Sequence, residues 1–147
     1  MKHIVAAIDF SDVTESVIGK AQELACAFSA RLTLLHAVTN PDFVGYETGP
    51  QTVRDSRAHE LRSERKDLEE RVKALRESGI EADSKFVLGP IVETILEEVK
   101  MCKIDLIVVG SHGHGILHHV LVGSITEGIL RQSPCPVLAV PAAKSKE

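Results

Sequence analysis

Continuous apolar runs alternate along this chain with longer stretches in which apolar positions recur every three or four residues. The continuous runs lie at 4–8, 32–38, 82–88, 106–109 and 137–140 and are rich in Val, Ile and Leu, with 82–88 the most mixed. Short runs of this kind, without polar alternation, are expected of strands covered on both faces. Between them, residues 13–29, 52–78, 91–102 and 124–132 carry the helical period. Start signals agree with this division. Ser11 and Asp12 precede the first helix, Pro90 opens the third, and Ser124 with Glu127 three residues on reads as a capping box. The order β-α-β-α-β-α-β-α-β predicts parallel strands joined by right-handed crossovers. The expected fold class is therefore α/β: a three-layer, open, five-stranded parallel sheet with helices on both faces. No linker or internal repeat interrupts the pattern, so residues 1–147 are expected to form a single domain.

Composition narrows what such a domain does. With 147 residues, 44% apolar residues and a formal charge of −4, the chain can bury one ordinary core, and its mild acidity disfavours nucleic acid and membrane surfaces as partners. Four Phe, one Tyr and no Trp leave few platforms for ring-stacking cofactors. The three cysteines, Cys26, Cys102 and Cys135, form neither a disulfide framework nor a Cys-x-x-Cys metal motif. The N-terminal MKHIVAAIDF reaches Asp9 too soon for a signal peptide, and no apolar run has membrane-spanning length, so a cytoplasmic location is expected.

The second helix is the most polar segment. From Arg54 to Glu77, fifteen of 24 residues are Asp, Glu, Lys or Arg, of both signs, which reads as a solvated face laced by pairs such as Asp67–Arg71 and Glu69–Lys73. Opposite runs a narrow apolar stripe of Leu61, Leu68, Val72 and Leu75. The connection at 39–51, with Pro41, Gly45, Gly49 and Pro50, is the longest irregular one, yet carries no chemical signature of its own.

Candidate chemistry concentrates in GSHGHGILHHVLVGS, Gly110 to Ser124, which joins a buried strand to a helix start. Helix N-termini offer unpaired amides and partial positive charge, and glycines let backbone approach an oxyanion without a Cβ in the way. Gly110, Gly113, Gly123 and the Ser124 hydroxyl could thus wrap phosphates; the alternative is a Gly-rich turn with no ligand. A P-loop is excluded by the lack of Gly-Lys-Ser/Thr, and the spacing is not the dinucleotide Gly-x-Gly-x-x-Gly. Gly110-x-x-Gly113, nine residues, then Gly123-Ser124 instead resembles the ATP-binding motif of the universal stress protein family. VAAIDFSDVTES, LLHAV, LGPIVETIL, DLIVVGSHG and SPCPVLAVP extend the resemblance along nearly the whole chain.

The resemblance implies a Rossmann-like sheet ordered 3-2-1-4-5, with a nucleotide at the carboxyl ends of strands one and four. It places Asp9 at the nucleoside end and Val38 against adenine, with Ala7 and Ser11 beside them. Gly110, His112, Gly113, His114, Gly123, Ser124 and Ile125 would surround the phosphates. Asp9 has a second reading from its position alone, as a cap for the helix that follows. The implied cofactor is ATP, with or without Mg²⁺, and the implied role is a regulatory nucleotide-binding module in stress response. Family members also commonly dimerise through the last strand; here Val137–Val140, short and apolar between Pro136 and Pro141, reads as an edge strand that a second copy would cover.

One departure bears on function. Family loops often carry Arg or Lys where this chain has His112, His118 and His119, and between Gly110 and Ser124 its only basic side chains are histidines. Two further readings therefore stand beside the nucleotide-binding module: a slow ATPase, and a metal-responsive or interaction protein using His112, His114, His118 and His119. Binding is favoured over catalysis because the loop holds no carboxylate base. No dedicated metal site is expected, since adjacent loop histidines lack spaced ligand geometry.

Overall fold

The structure is a computed structural model that describes residues 1–39, 51–111 and 122–142. The order of elements is β1 (His3–Ala7), α1 (Thr14–Phe28), β2 (Arg31–Val38), α2 (Gln51–Glu77), β3 (Ala82–Leu88), α3 (Ile91–Met101), β4 (Leu106–Gly110), α4 (Ser124–Gln132) and β5 (Val137–Val140). All four strand pairings are parallel, and the sheet runs β3-β2-β1-β4-β5. The three-layer fold with order 3-2-1-4-5 is therefore present, and each element lies within one or two residues of its expected bounds.

Alternation along the strands divides the interior in two. Ile4, Ala6, Leu32, Leu34 and Val108 turn toward α1 and α2, where they meet Val17, Ala21, Leu68 and Val72. Their neighbours Val5, Leu35, Ile107 and Val109 turn the other way, onto Ile95, Leu96 and Val99 of α3 and Ile129 of α4. Both faces of the central strands are thus covered, as their unbroken apolar runs require. On α2 the stripe sinks into the first layer at Leu68, Val72 and Leu75.

Two helix-start expectations are corrected. Ser124 is the first residue of α4 rather than its cap. Gly123 holds the cap position with extended backbone (φ −67°, ψ 156°), and no side chain caps the helix, so the Ser124–Glu127 capping box does not form. The cap of α1 is Val13, also without a side-chain bond; its first turn is closed by the Thr14 N–H donating to the Ser11 carbonyl at 3.1 Å. Of the expected ladder on α2, Arg71 and Glu69 turn instead to other elements. Arg71 pairs with Glu15 of α1, and the Ser84 hydroxyl of β3 donates to Glu69 at 2.7 Å. Long polar side chains at a helix edge reach a neighbouring element as readily as the next turn, so tertiary partners replace these two pairs, whereas Arg57–Glu60 and Lys66–Glu70 stay within the helix.

At the amino ends of β1 and β4, Asp105 fastens the start of the chain. Its Oδ2 accepts from the backbone N–H groups of Lys2 at 2.7 Å and His3 at 2.9 Å. These bonds favour the charged form and hold its carboxyl below the ordinary range. A depressed folded-state pKa contributes stability above the unfolded-state value and loses it as pH falls through the folded value. Asp105→Asn is accordingly expected to lower the urea midpoint at pH 7, and the gap from wild type should narrow steadily below pH ~4. An equal gap at both ends of that range would show that the charge is not what matters.

Candidate functional site

The strands all end at one edge, and between β1 and β4 the sheet order reverses: the chain leaves β1 toward β2 on one side and enters β4 on the other. Crossovers diverge at such a point and leave a crevice. A cavity of about 420 Å³ opens there, within the range of small-molecule sites. Its walls differ in character. The α3/α4 side is apolar, with Ile91, Ile95, Ile129, Val109, Ala7 and Ala37. The α1/α2 side carries His36, Glu64 and Arg57, and Asp9 stands at the end of β1.

α4 meets this cavity with its N-terminus. The Glu127 N–H donates to the Gly123 carbonyl at 2.9 Å, the first bond of the helix, so the amides of Ser124, Ile125 and Thr126 have no acceptor within it. Three bonds fix this end. The Gly123 N–H donates to the Ser111 carbonyl at 2.7 Å, and the Ser111 N–H to the Val140 carbonyl at 2.8 Å. Thr126, itself buried, donates its hydroxyl to the Gly110 carbonyl at 2.6 Å. Gly128 lets the helix lie close to α3: a Cβ there would come within 3.0 Å of Val92. The result is a rigidly held set of amides with the positive end of a helix dipole facing a partly apolar crevice, an arrangement suited to an anionic group with a flat apolar attachment.

Asp9 sits in the turn from β1 to α1, and its Oδ1 accepts from the Ser11 N–H at 3.0 Å. The carboxylate thus shapes the turn ahead of the helix rather than occupying the cap of α1, which falls at Val13. The turn is tight enough to place Phe10 in the left-handed region at φ 57°. Phe10 and Phe86 flank the buried His36 ring edge-on, at centroid distances of 4.7 and 5.5 Å. His36 is hydrogen-bonded on both nitrogens: Nδ1 lies 2.7 Å from the Ile8 carbonyl and Nε2 lies 3.1 Å from Glu64 Oε2. A carbonyl only accepts, so Nδ1 is the donor to Ile8. The Glu64 contact ties α2 to the sheet beside the cavity.

Of the residues singled out from the sequence, Ala7, Asp9, Val38, Gly110, Gly123, Ser124 and Ile125 all border the cavity. Ser11 does not; its hydroxyl is buried and has no hydrogen-bond partner among the described residues. His112, Gly113 and His114, with His118 and His119, lie outside the described residues. Among the described residues no three His, Cys, Asp or Glu side chains gather as a metal site, and no helix is long and apolar enough to cross a membrane. Arg57, Glu64, Ile91 and Ile95 border the cavity without having been singled out. Arg57 and Glu64 stand seven apart, two helical turns, but in so charged a helix that spacing alone does not separate them from their neighbours.

Comparison with known proteins agrees with this architecture. The model of the universal stress protein family matches residues 1–141. The chain is 32% identical over 143 residues to the universal stress protein YxiE of Bacillus subtilis, covering 93% of this chain and 97% of that one. The solved structure of MJ0577 from Methanocaldococcus jannaschii superposes with a TM-score of 0.81 at 26% identity, covering 98% of each chain. A universal stress protein crystallised in complex with cAMP superposes with a TM-score of 0.68 at 24% identity, covering 97% of this chain and 98% of that one. A family match over residues 1–141, with a relative 32% identical along nearly the whole length, makes this chain a member of the universal stress protein family.

Proposed function

We propose that the cavity binds an adenine nucleotide, ATP in the first instance, and that the protein acts as a single-domain regulatory module in stress response whose state reports that ligand. The observation that carries this reading is the α4 N-terminus: three helix amides, at Ser124, Ile125 and Thr126, lack helical acceptors and border a cavity with an apolar wall opposite charged groups. Phosphate suits the amides, the apolar wall suits a purine face, and Asp9 suits ribose hydroxyls, which donate to a carboxylate. Val38 borders the base end of the same space. The cAMP complex of a relative with this fold supports the class of ligand. Mg²⁺, if it accompanies ATP, would be carried by the phosphates. Calorimetry of the purified protein with ATP, ADP and AMP, with phosphate release followed in parallel, tests the reading. Saturable binding with negligible turnover is the expected result, and no adenine nucleotide binding at millimolar ligand would refute it.

The same reading includes a homodimer formed through β5. Among the described residues this strand pairs only with β4 and so forms one edge of the sheet. Because the Pro136 carbonyl accepts from Ile107 of β4 and the Val140 carbonyl from Ser111 just beyond it, the alternate residues Val137 and Ala139 turn their backbone groups to the open edge. An unprotected apolar edge invites pairing, and a twofold partner satisfies it. Light scattering should give about twice the 16.0 kDa chain mass. Ala139→Pro, which removes one outward N–H and leaves the β4 ladder intact, should shift the protein toward monomer. A monomeric wild type at high micromolar concentration would overturn the dimer.

A further inference from the structure

We infer that Arg57 of α2 supplies the cationic contact to the phosphates that the glycine-bearing loop itself lacks; the inference rests on the nucleotide reading above. Between Gly110 and Ser124 there is no Lys or Arg. The charged groups that border the cavity among the described residues are Asp9, Glu64, His36 and Arg57. A polyphosphate brings several negative charges into this partly apolar space, and a cation that meets them strengthens its binding. Arg57 is the permanent cation in this set, always protonated and able to engage phosphate oxygens through two N–H groups at once.

Its position follows from the fold. The crossover from β2 returns along the sheet, so α2 begins at the edge where the strands end, and Arg57 lies in its second turn, near the level of the cavity. Glu64 is two turns further on, about 10 Å along the axis on the same side of the helix. Because Glu64 is held against His36 at 3.1 Å, the helix cannot rotate without breaking that contact, and Arg57 is kept facing the cavity. Its present partner is no obstacle. Arg57 donates to Glu60 at 3.0 Å, an i,i+3 pair in which Glu60 is 62% exposed, and exposed pairs of this kind are weak and readily exchanged. The side chain of Arg57 is itself 27% exposed, largely withdrawn from solvent and still able to swing to an incoming anion.

Calorimetric titrations of wild type, Arg57→Gln, Arg57→Lys and Glu60→Gln with ATP and with adenosine, at low and high salt, test this. Arg57→Gln should weaken ATP binding about tenfold at low ionic strength, leave adenosine within about twofold, and differ less from wild type in ~0.5 M NaCl. Arg57→Lys should recover part of the loss, and Glu60→Gln, which frees the guanidinium, should tighten ATP slightly. Unchanged ATP affinity in Arg57→Gln, with wild type binding normally, would overturn the role of Arg57 alone. Equal loss of ATP and adenosine would also overturn it, by showing that the residue only supports the cavity wall. A wild type that binds neither ligand would overturn the nucleotide reading and this inference with it.

Discussion

Gly123→Val is expected to lower ATP affinity on the order of 100-fold while leaving a folded protein. Gly123 is the cap of α4, and its φ of −67° and ψ of 156° are open to any residue, so valine meets no backbone penalty there. Its N–H donates to the Ser111 carbonyl, a bond that valine keeps. What changes is the space above the helix end. A branched Cβ beside the Ser124 amide stands where a phosphate oxygen must approach, and losing two charge-assisted amide bonds of ~1.5 kcal/mol or more each accounts for that factor. Valine is also a poor cap, which costs about 1 kcal/mol of stability. Calorimetry and a thermal melt separate the two effects. Near-wild-type ATP binding in a folded Gly123→Val protein would place the phosphates away from α4.

The fold was open to sequence reasoning because each strand is covered on both sides, which writes a continuous apolar run, and each helix is covered on one, which writes a period. Leu32, Leu34, Leu35 and Ala37 of β2 serve opposite faces, so every position carries the signal. Helix starts were less legible. Ser124 and Glu127 have the spacing of a capping box, but the tight link from Gly123 to Ser111 moves the cap one residue earlier. For the site, Gly110, Gly123 and Asp9 at the end of β1 stand out in the sequence, and all three border the cavity. The α2 wall does not stand out. His36 lies inside an apolar strand and Glu64 among fifteen charges, and their meeting at 3.1 Å depends on how α2 is rotated over β2, which no local pattern encodes. Arg57 inherits that limitation, because its facing is set by the same rotation.

Ile129→Ala is expected to cost about 2–4 kcal/mol and to concentrate the damage at the cavity. Ile129 has no exposed surface and packs in the second interior layer with residues such as Ile95, Val99 and Ile107. α4 has only nine residues, too few to be stable alone, and Thr126 and Ile129 are its buried residues. Removing the larger anchor leaves the helix held chiefly by the Thr126 bond to Gly110 and the Gly123 bond to Ser111. Local opening of α4 should then become cheaper than global unfolding, so its amides would exchange with deuterium faster than those of β1 and β2. Leu34→Ala is the comparison: equally buried, but in the first layer against α1 and α2, it should lower stability by a similar amount without singling out α4. Nucleotide should restore protection to α4 in Ile129→Ala, because an anion on Ser124, Ile125 and Thr126 binds only the formed helix end. If both variants lose exchange protection uniformly, and ATP restores none of it, α4 is not a separately anchored element and the ligand does not rest on its amides.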